Sequence, residues 1–216
     1  MNTQEHASAP PGRQQQPGAQ ERLLRSTQEL LWERGYVGTS PKAILERAGV
    51  GQGSMYHHFS GKSDLALAAI RRTAEGMKAA AEECLSTSGT AYDRVAAYLL
   101  RERRVLRGCP IGRMTQDRDV VQSAELRGPL DEMFGWLQER IAEVLGEGVR
   151  RGELAAALDP VATAATVAAV VQGGYVLAKA ADDTAPFDAA VRGVLALLAA
   201  QTTGSTPGPA PAAADR

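Results

Sequence analysis

A chain of 216 residues could hold one domain or two small ones, and its 44% hydrophobic content can bury a sizeable core. Aromatic residues make up only 5% while alanine is abundant, which favours close-packed helices over a β-sandwich. A formal net charge of −1 argues against a protein that is basic overall, though a local positive surface does not need a basic whole. The two cysteines, Cys84 and Cys109, give neither a disulfide framework nor metal-ligand spacing. No apolar run looks long enough to span a bilayer, and the Gln-, Pro- and Gly-rich start lacks the apolar core of a signal peptide. A soluble, cytoplasmic protein with no membrane partner is therefore expected. Residues 1–19 read as a disordered arm and 202–216 (TTGSTPGPAPAAADR) as a disordered tail.

A first helix is predicted over 21–33, with Leu23, Leu24, Leu30 and Leu31 as its apolar stripe around Thr27, closed by Gly35 and Tyr36. Ser40 offers a capping hydroxyl, and Pro41 sits at the first helical position, where its missing N–H costs nothing. Ile44, Leu45 and Ala48 supply an inward face, Gly49 ends the helix and Val50 pins the turn. The next helix, over 52–59, is too short to stand alone and must pack against something. Helix, glycine turn, helix is the signature of a helix-turn-helix, whose second helix enters the DNA major groove.

A long fourth helix follows over 62–85, and a fifth over 92–107 with Val95, Leu99 and Leu106 on one face. Gly108, Cys109 and Pro110 break it, and 111–121 stays unassigned. A long helix over 126–151 repeats Leu130, Phe134, Leu137, Ile141 and Leu145 at intervals of three and four. Asp159 and Pro160 open a helix rich in alanine and glycine; the last runs over 187–200 with Val191, Val194, Leu195 and Leu198. No strand-like alternation occurs, so the class is all-α with about nine or ten helices.

Within the second helix of the unit, Met55 and Phe59 pack inward with Val50, leaving Gln52, Ser54, Tyr56 and His57 outward. Glutamine pairs bidentately with adenine, while serine and histidine bond bases or phosphates. Tyr56 suits a phosphate oxygen and a sugar or thymine methyl, and the Lys62 ammonium could reach a phosphate. For His57 and His58 the alternative is a structural or surface histidine. The adjacent histidines lack metal-motif spacing, and no nucleophile elbow, P-loop or dinucleotide fingerprint occurs. No metal, cofactor or enzymatic activity is expected.

Gly35, Tyr36, Thr39, Ile44, Ala48, Gly49, Val50, Gly53, Ser54, Tyr56, His58, Phe59, Lys62 and Leu65 stand at fixed offsets in a pattern that resembles the N-terminal domain of the TetR family of transcriptional regulators. The remainder matches only in being helical and of suitable length. Gly51 departs from the usual Ser or Thr; it caps almost as well but offers no hydroxyl to a phosphate, and Gly61 likewise replaces a common polar residue. The resemblance implies a helix-turn-helix domain over 20–66, joined by the 62–85 helix to a ligand-binding and dimerisation domain over 67–201. The DNA-binding set is then Thr39, Ser40, Lys42, Gln52, Gly53, Ser54, Tyr56, His57, His58 and Lys62.

The last two helices are apolar on more than one face and need cover on all sides. The resemblance implies that they form a four-helix dimer interface, with Val161, Ala168, Val171, Val191, Leu195 and Leu198 as the dimerisation set; the alternative is an alanine-rich interior. An effector cavity is expected among Tyr98, Met114, Met133, Phe134, Trp136, Gln172 and Tyr175, against the alternative of plain core packing. Cys109 is either a redox-sensing thiol or a structural one. Together these features read as a homodimeric repressor that binds a palindromic operator in double-stranded DNA and is released by a small, largely apolar effector. The alternatives are an activator of the same kind, or a helical enzyme or ligand carrier with an incidental helix-turn-helix segment.

Overall fold

The computed structural model describes residues 18–204, so nearly all of the expected arm and tail lies outside the described residues. Ten α-helices and one 3-10 turn make up the described chain: α1 (Ala19–Arg34), α2 (Pro41–Ala48), α3 (Gln52–His58), α4 (Lys62–Leu85), α5 (Ala91–Leu100), the turn Val105–Arg107, α6 (Pro110–Met114), α7 (Arg118–Gln122), α8 (Ala124–Arg150), α9 (Pro160–Ala181) and α10 (Ala185–Ala199). The fold is all-helical, as expected.

Two hydrophobic cores organise it. Leu23 and Leu30 of α1, Ile44 and Ala48 of α2, Met55 of α3, Phe59 and Leu65 form the core of an N-terminal head. The larger core takes residues from α4 to α10, and also Leu31 of α1. On α4, Leu65 belongs to the head core, while Ala66, Leu67, Ala69, Ile70, Ala74, Ala81 and Leu85 belong to the body core. One continuous helix is thus built into both.

The caps follow their sequence chemistry. The Ser40 hydroxyl accepts the Ala43 amide at 3.2 Å, and Gly49 takes the left-handed conformation (φ 60°) that a C-terminal cap needs. Thr90 and Asp93 close a reciprocal capping box on α5. Asp159 accepts the Val161 and Ala162 amides at the start of α9.

Three expectations need correction. The fifth helix stops at Leu100, because Arg101 is extended and Arg103 turns back: its guanidinium donates to the Leu99 and Arg101 carbonyls at 2.7 and 2.9 Å, and to that of Tyr98. A side chain thereby takes over carbonyls that a longer helix would have satisfied. Residues 202–204, assigned to a disordered tail, return to the body: the Thr203 amide donates to the Glu153 carbonyl at 2.9 Å, and Thr202 bridges Leu154. Finally, α9 is long and apolar enough, by length and composition alone, to cross a membrane. Its inner face, with Ala164, Val167, Val171 and Ala178, is packed into the body core beside α8 and α10.

Candidate DNA-binding face and body cavity

Helices α2 and α3 present most of the expected DNA-binding set on one side of the head. Ser40, Lys42, Gln52 and Tyr56 border a single groove between these helices. Gln52, Gly53, Tyr56, His57 and His58 are exposed, and Ser54 is half-buried. Tyr56 leaves 55% of its surface open, a large unpartnered apolar area for a residue of a folded head. Met55 and Phe59 are buried, as the helical spacing required.

Two members of the set are placed differently. Thr39 is buried, and its hydroxyl donates to the Gly35 carbonyl at 2.7 Å. It closes the α1–α2 turn and is not on the outer face, which corrects its assignment as a DNA contact. Lys62 holds its ammonium 4.0 Å over the Tyr36 ring, and burial pushes its pKa down. Its charge is already partly engaged within the protein.

Where the head meets the body, the contacts are polar and specific. The Trp32 indole N–H on α1 donates to the Gly108 carbonyl at 3.0 Å. The Arg107 guanidinium lies 3.8 Å over the Trp32 ring, pairs with Glu29 and stands 3.6 Å from Glu33. Asp117 accepts the Val37 amide at 3.0 Å. It also crowds Gly35, where a Cβ would lie 2.9 Å from its Oδ2; with φ at 76°, that turn fits glycine on both counts.

Directly behind this junction lies a cavity of about 550 Å³ between α6, α8 and α9. Arg107 and Gly108 belong both to its wall and to the head contact. Phe134 and Gln138 border it from α8, and Ala168, Gln172 and Tyr175 from α9, with the exposed Ala165, Ala169 and Val176 at its open rim. Of the expected effector residues, Phe134, Gln172 and Tyr175 line it. Tyr98, Met114 and Met133 are buried in the body core instead, and Trp136 packs against that core away from the cavity. Burial pushes the Tyr175 phenol up to about 12 and raises the Cys109 thiol. Both stay protonated at neutral pH. Cys109 is buried, its sulfur accepting the Gly112 amide at 3.2 Å, which favours the structural role over thiolate chemistry.

Family comparison agrees with this architecture. Residues 23–69 match the model for bacterial regulatory proteins of the tetR family, and 89–194 match a tetracyclin repressor-like C-terminal domain. The chain belongs to the TetR family of transcriptional regulators. It is 28% identical over 171 residues to an HTH-type transcriptional regulator encoded 3′ of lacX in Lactococcus lactis, covering 76% of this chain and 84% of that one. A TetR regulator from Chloroflexus aurantiacus superposes with a TM-score of 0.79 at 25% identity, covering 85% of this chain and 96% of that chain. The same fold, with a TM-score of 0.68 at 24% identity over 81% of this chain and 94% of that one, occurs in a cysteine mutant of CifR complexed with 26bp operator DNA.

This TetR-family regulator is not an enzyme, and its outward α9 and α10 faces differ from the expected dimerisation set. Ala168, Val171, Val191, Leu195 and Leu198 are buried within the single chain; of the six, only Val161 is exposed, at 71%. The other open large apolar residues are Val176 and Leu177 on α9 and Leu197 on α10. Between them run exposed small residues: Ala165, Ala169 and Gly173 on α9; Ala189, Gly193 and Ala196 on α10. Sequence periodicity identified both helices as over-apolar but not which stripe faces outward. It also missed Arg107, Arg113, Gln138 and Lys179 in the cavity, for which the Gly108–Cys109–Pro110 break was the one local signal.

Proposed function

We propose that this TetR-family regulator is a homodimeric repressor, and that a small molecule entering the body cavity releases it from a palindromic operator. The observation that carries the proposal is the sharing of Arg107 and Gly108 between the cavity wall and the α1 contact. A ligand that displaces either residue alters what holds the head. Coupling of this kind is reciprocal: operator DNA weakens the ligand as much as the ligand weakens operator. The outward stripes of small residues on α9 and α10 let two copies approach closely, and paired heads then read two half-sites one helical turn or a multiple apart. Ser40, Lys42, Gln52, Gly53, Ser54, Tyr56, His57 and His58 form the proposed DNA surface, with Lys62 at its edge.

Footprinting on promoters flanking the gene tests the DNA half of the proposal, and a promoter reporter tests its sign. Protection of a palindrome, with expression rising when the regulator is absent, is the expected result. Expression that falls on its removal makes it an activator. The coupling has its own test in Trp32→Phe, which keeps the ring under Arg107 but removes the donor to Gly108. Any compound that lowers operator affinity of the parent protein should do so less on this variant, out of a usual coupling of about 1–3 kcal/mol. Equal release from both proteins would show that the signal takes another route.

A further inference from the structure

The charges around the body cavity are one-sided. Arg107, Arg113 and Lys179 line it, and no aspartate or glutamate does. Arg107 is answered from the head by Glu29 and Glu33. Among the described residues, no close ion pair holds Arg113 or Lys179, although the Arg113 guanidinium stands beside Gly35, as the Asp117 carboxylate does, and Lys179 is exposed.

Two more cations act on groups that line the cavity. Arg101 and Arg103 both act on the Tyr175 phenol, and Arg101 on the Cys109 thiol, although they border a neighbouring groove, with Glu102 and Asp188, and not the cavity itself. Each has a buried Nε without a hydrogen-bond partner, and neither meets a carboxylate at ion-pair distance among the described residues. Arg103 is held by backbone carbonyls and lies over the Tyr98 and Phe187 rings. Carbonyl dipoles and ring faces ease a buried cation without neutralising it. Positive charge gathered at one open cavity, with no carboxylate in its lining, favours an anion there over a neutral or cationic guest.

One neutral group is a donor as well. The Tyr175 phenol offers a proton to an acceptor, and an ionised carboxylate only accepts; the Cys109 thiol and the Gln172 amide, beside it, are paired with each other. Phe134 and the alanines of α9 supply an apolar surface beside them.

We infer that the body cavity is a receptor for a small amphipathic organic acid, its carboxylate held by the cationic groups and its apolar part laid against Phe134 and α9. This replaces the largely apolar effector expected from sequence, and it rests on reading the cavity as the effector site.

Calorimetric titration of the full chain without DNA tests it. The probes are octanoate, 1-octanol and octylammonium, then 4-phenylbutyrate with its matching alcohol and amine. In at least one set the acid should bind about tenfold or more tighter than its alcohol, because charge-assisted hydrogen bonds are roughly twice as strong as neutral ones. The amine should not compete. The double substitution Arg113→Gln, Lys179→Gln should erase the preference while leaving the alcohol's affinity in place. If that variant fails to fold, the comparison within each set on the parent protein still decides. An alcohol or amine that matches its acid in both sets, or both acids failing to bind at millimolar concentration, overturns the inference. Operator release is measured separately. Acids that bind without releasing DNA leave the anion site standing and defeat the effector reading. Release by neutral compounds competing for the cavity does the reverse.

Discussion

Leu197→Glu on α10 should give a folded monomer that has lost most of its operator affinity. Leu197 is 70% exposed in the single chain, so the carboxylate meets water and the fold is spared. In a symmetric dimer the same substitution appears twice and places two charges in the apolar contact. Without the dimer, each head binds its half-site alone. Linked binding commonly exceeds the single event by about 10²–10⁴-fold, and a loss of that order is expected. Val171→Glu and Leu195→Glu serve as the contrast. Both positions are buried within the chain, so a charge there should unfold the body, not merely divide the dimer. Sedimentation with circular dichroism separates the two outcomes. A Leu197→Glu protein that stays dimeric at micromolar concentration would place the interface elsewhere.

Gln52→Ala should relax base preference, whereas Lys42→Ala should weaken all DNA alike. Gln52 opens α3 on the exposed face of the head, at the end of a recognition helix that reaches base edges. A good bidentate base contact is worth about 1–3 kcal/mol of discrimination, and a dimer loses two of them. The Lys42 side chain is 86% exposed, with only a loose 3.9 Å approach to Glu46. Removing it should reduce the salt dependence of binding by about one phosphate per subunit. Binding measured against shuffled operators at several salt concentrations distinguishes the two. If Gln52→Ala leaves the sequence preference untouched, α3 sits in the groove in another orientation.

The head was legible because its signals are local. Ser40, Pro41 and Gly49 each dictate a cap or turn within a few residues, and α2 begins and ends where that chemistry places it. The cavity was legible only in part, through Phe134, Gln172 and Tyr175. Its walls come from Arg107, Phe134 and Gln172, which are far apart in sequence and meet only when α8 and α9 pack. Likewise, an alanine-rich helix such as α9 carries too weak a contrast between its sides for periodicity to say which is inward; Val171 and Val176 look alike until α10 is in place. The early end of α5 depended on Arg103 folding back onto its carbonyls, a choice that helix propensity alone does not encode.

The passage of α4 through both cores bears on how this protein comes apart. Leu65 and Ala66 are consecutive residues of one helix, yet they belong to different hydrophobic clusters. Leu30 and Leu31 of α1 are divided in the same way. Fraying the head therefore strips cover from the body, and loosening the body removes the support on which the short α3 relies. The head is therefore expected to melt together with the body. A scanning calorimeter should record a single transition whose van't Hoff and calorimetric enthalpies agree. Any compound that occupies the cavity should raise the heat resistance of the distant recognition helix together with that of its own binding site.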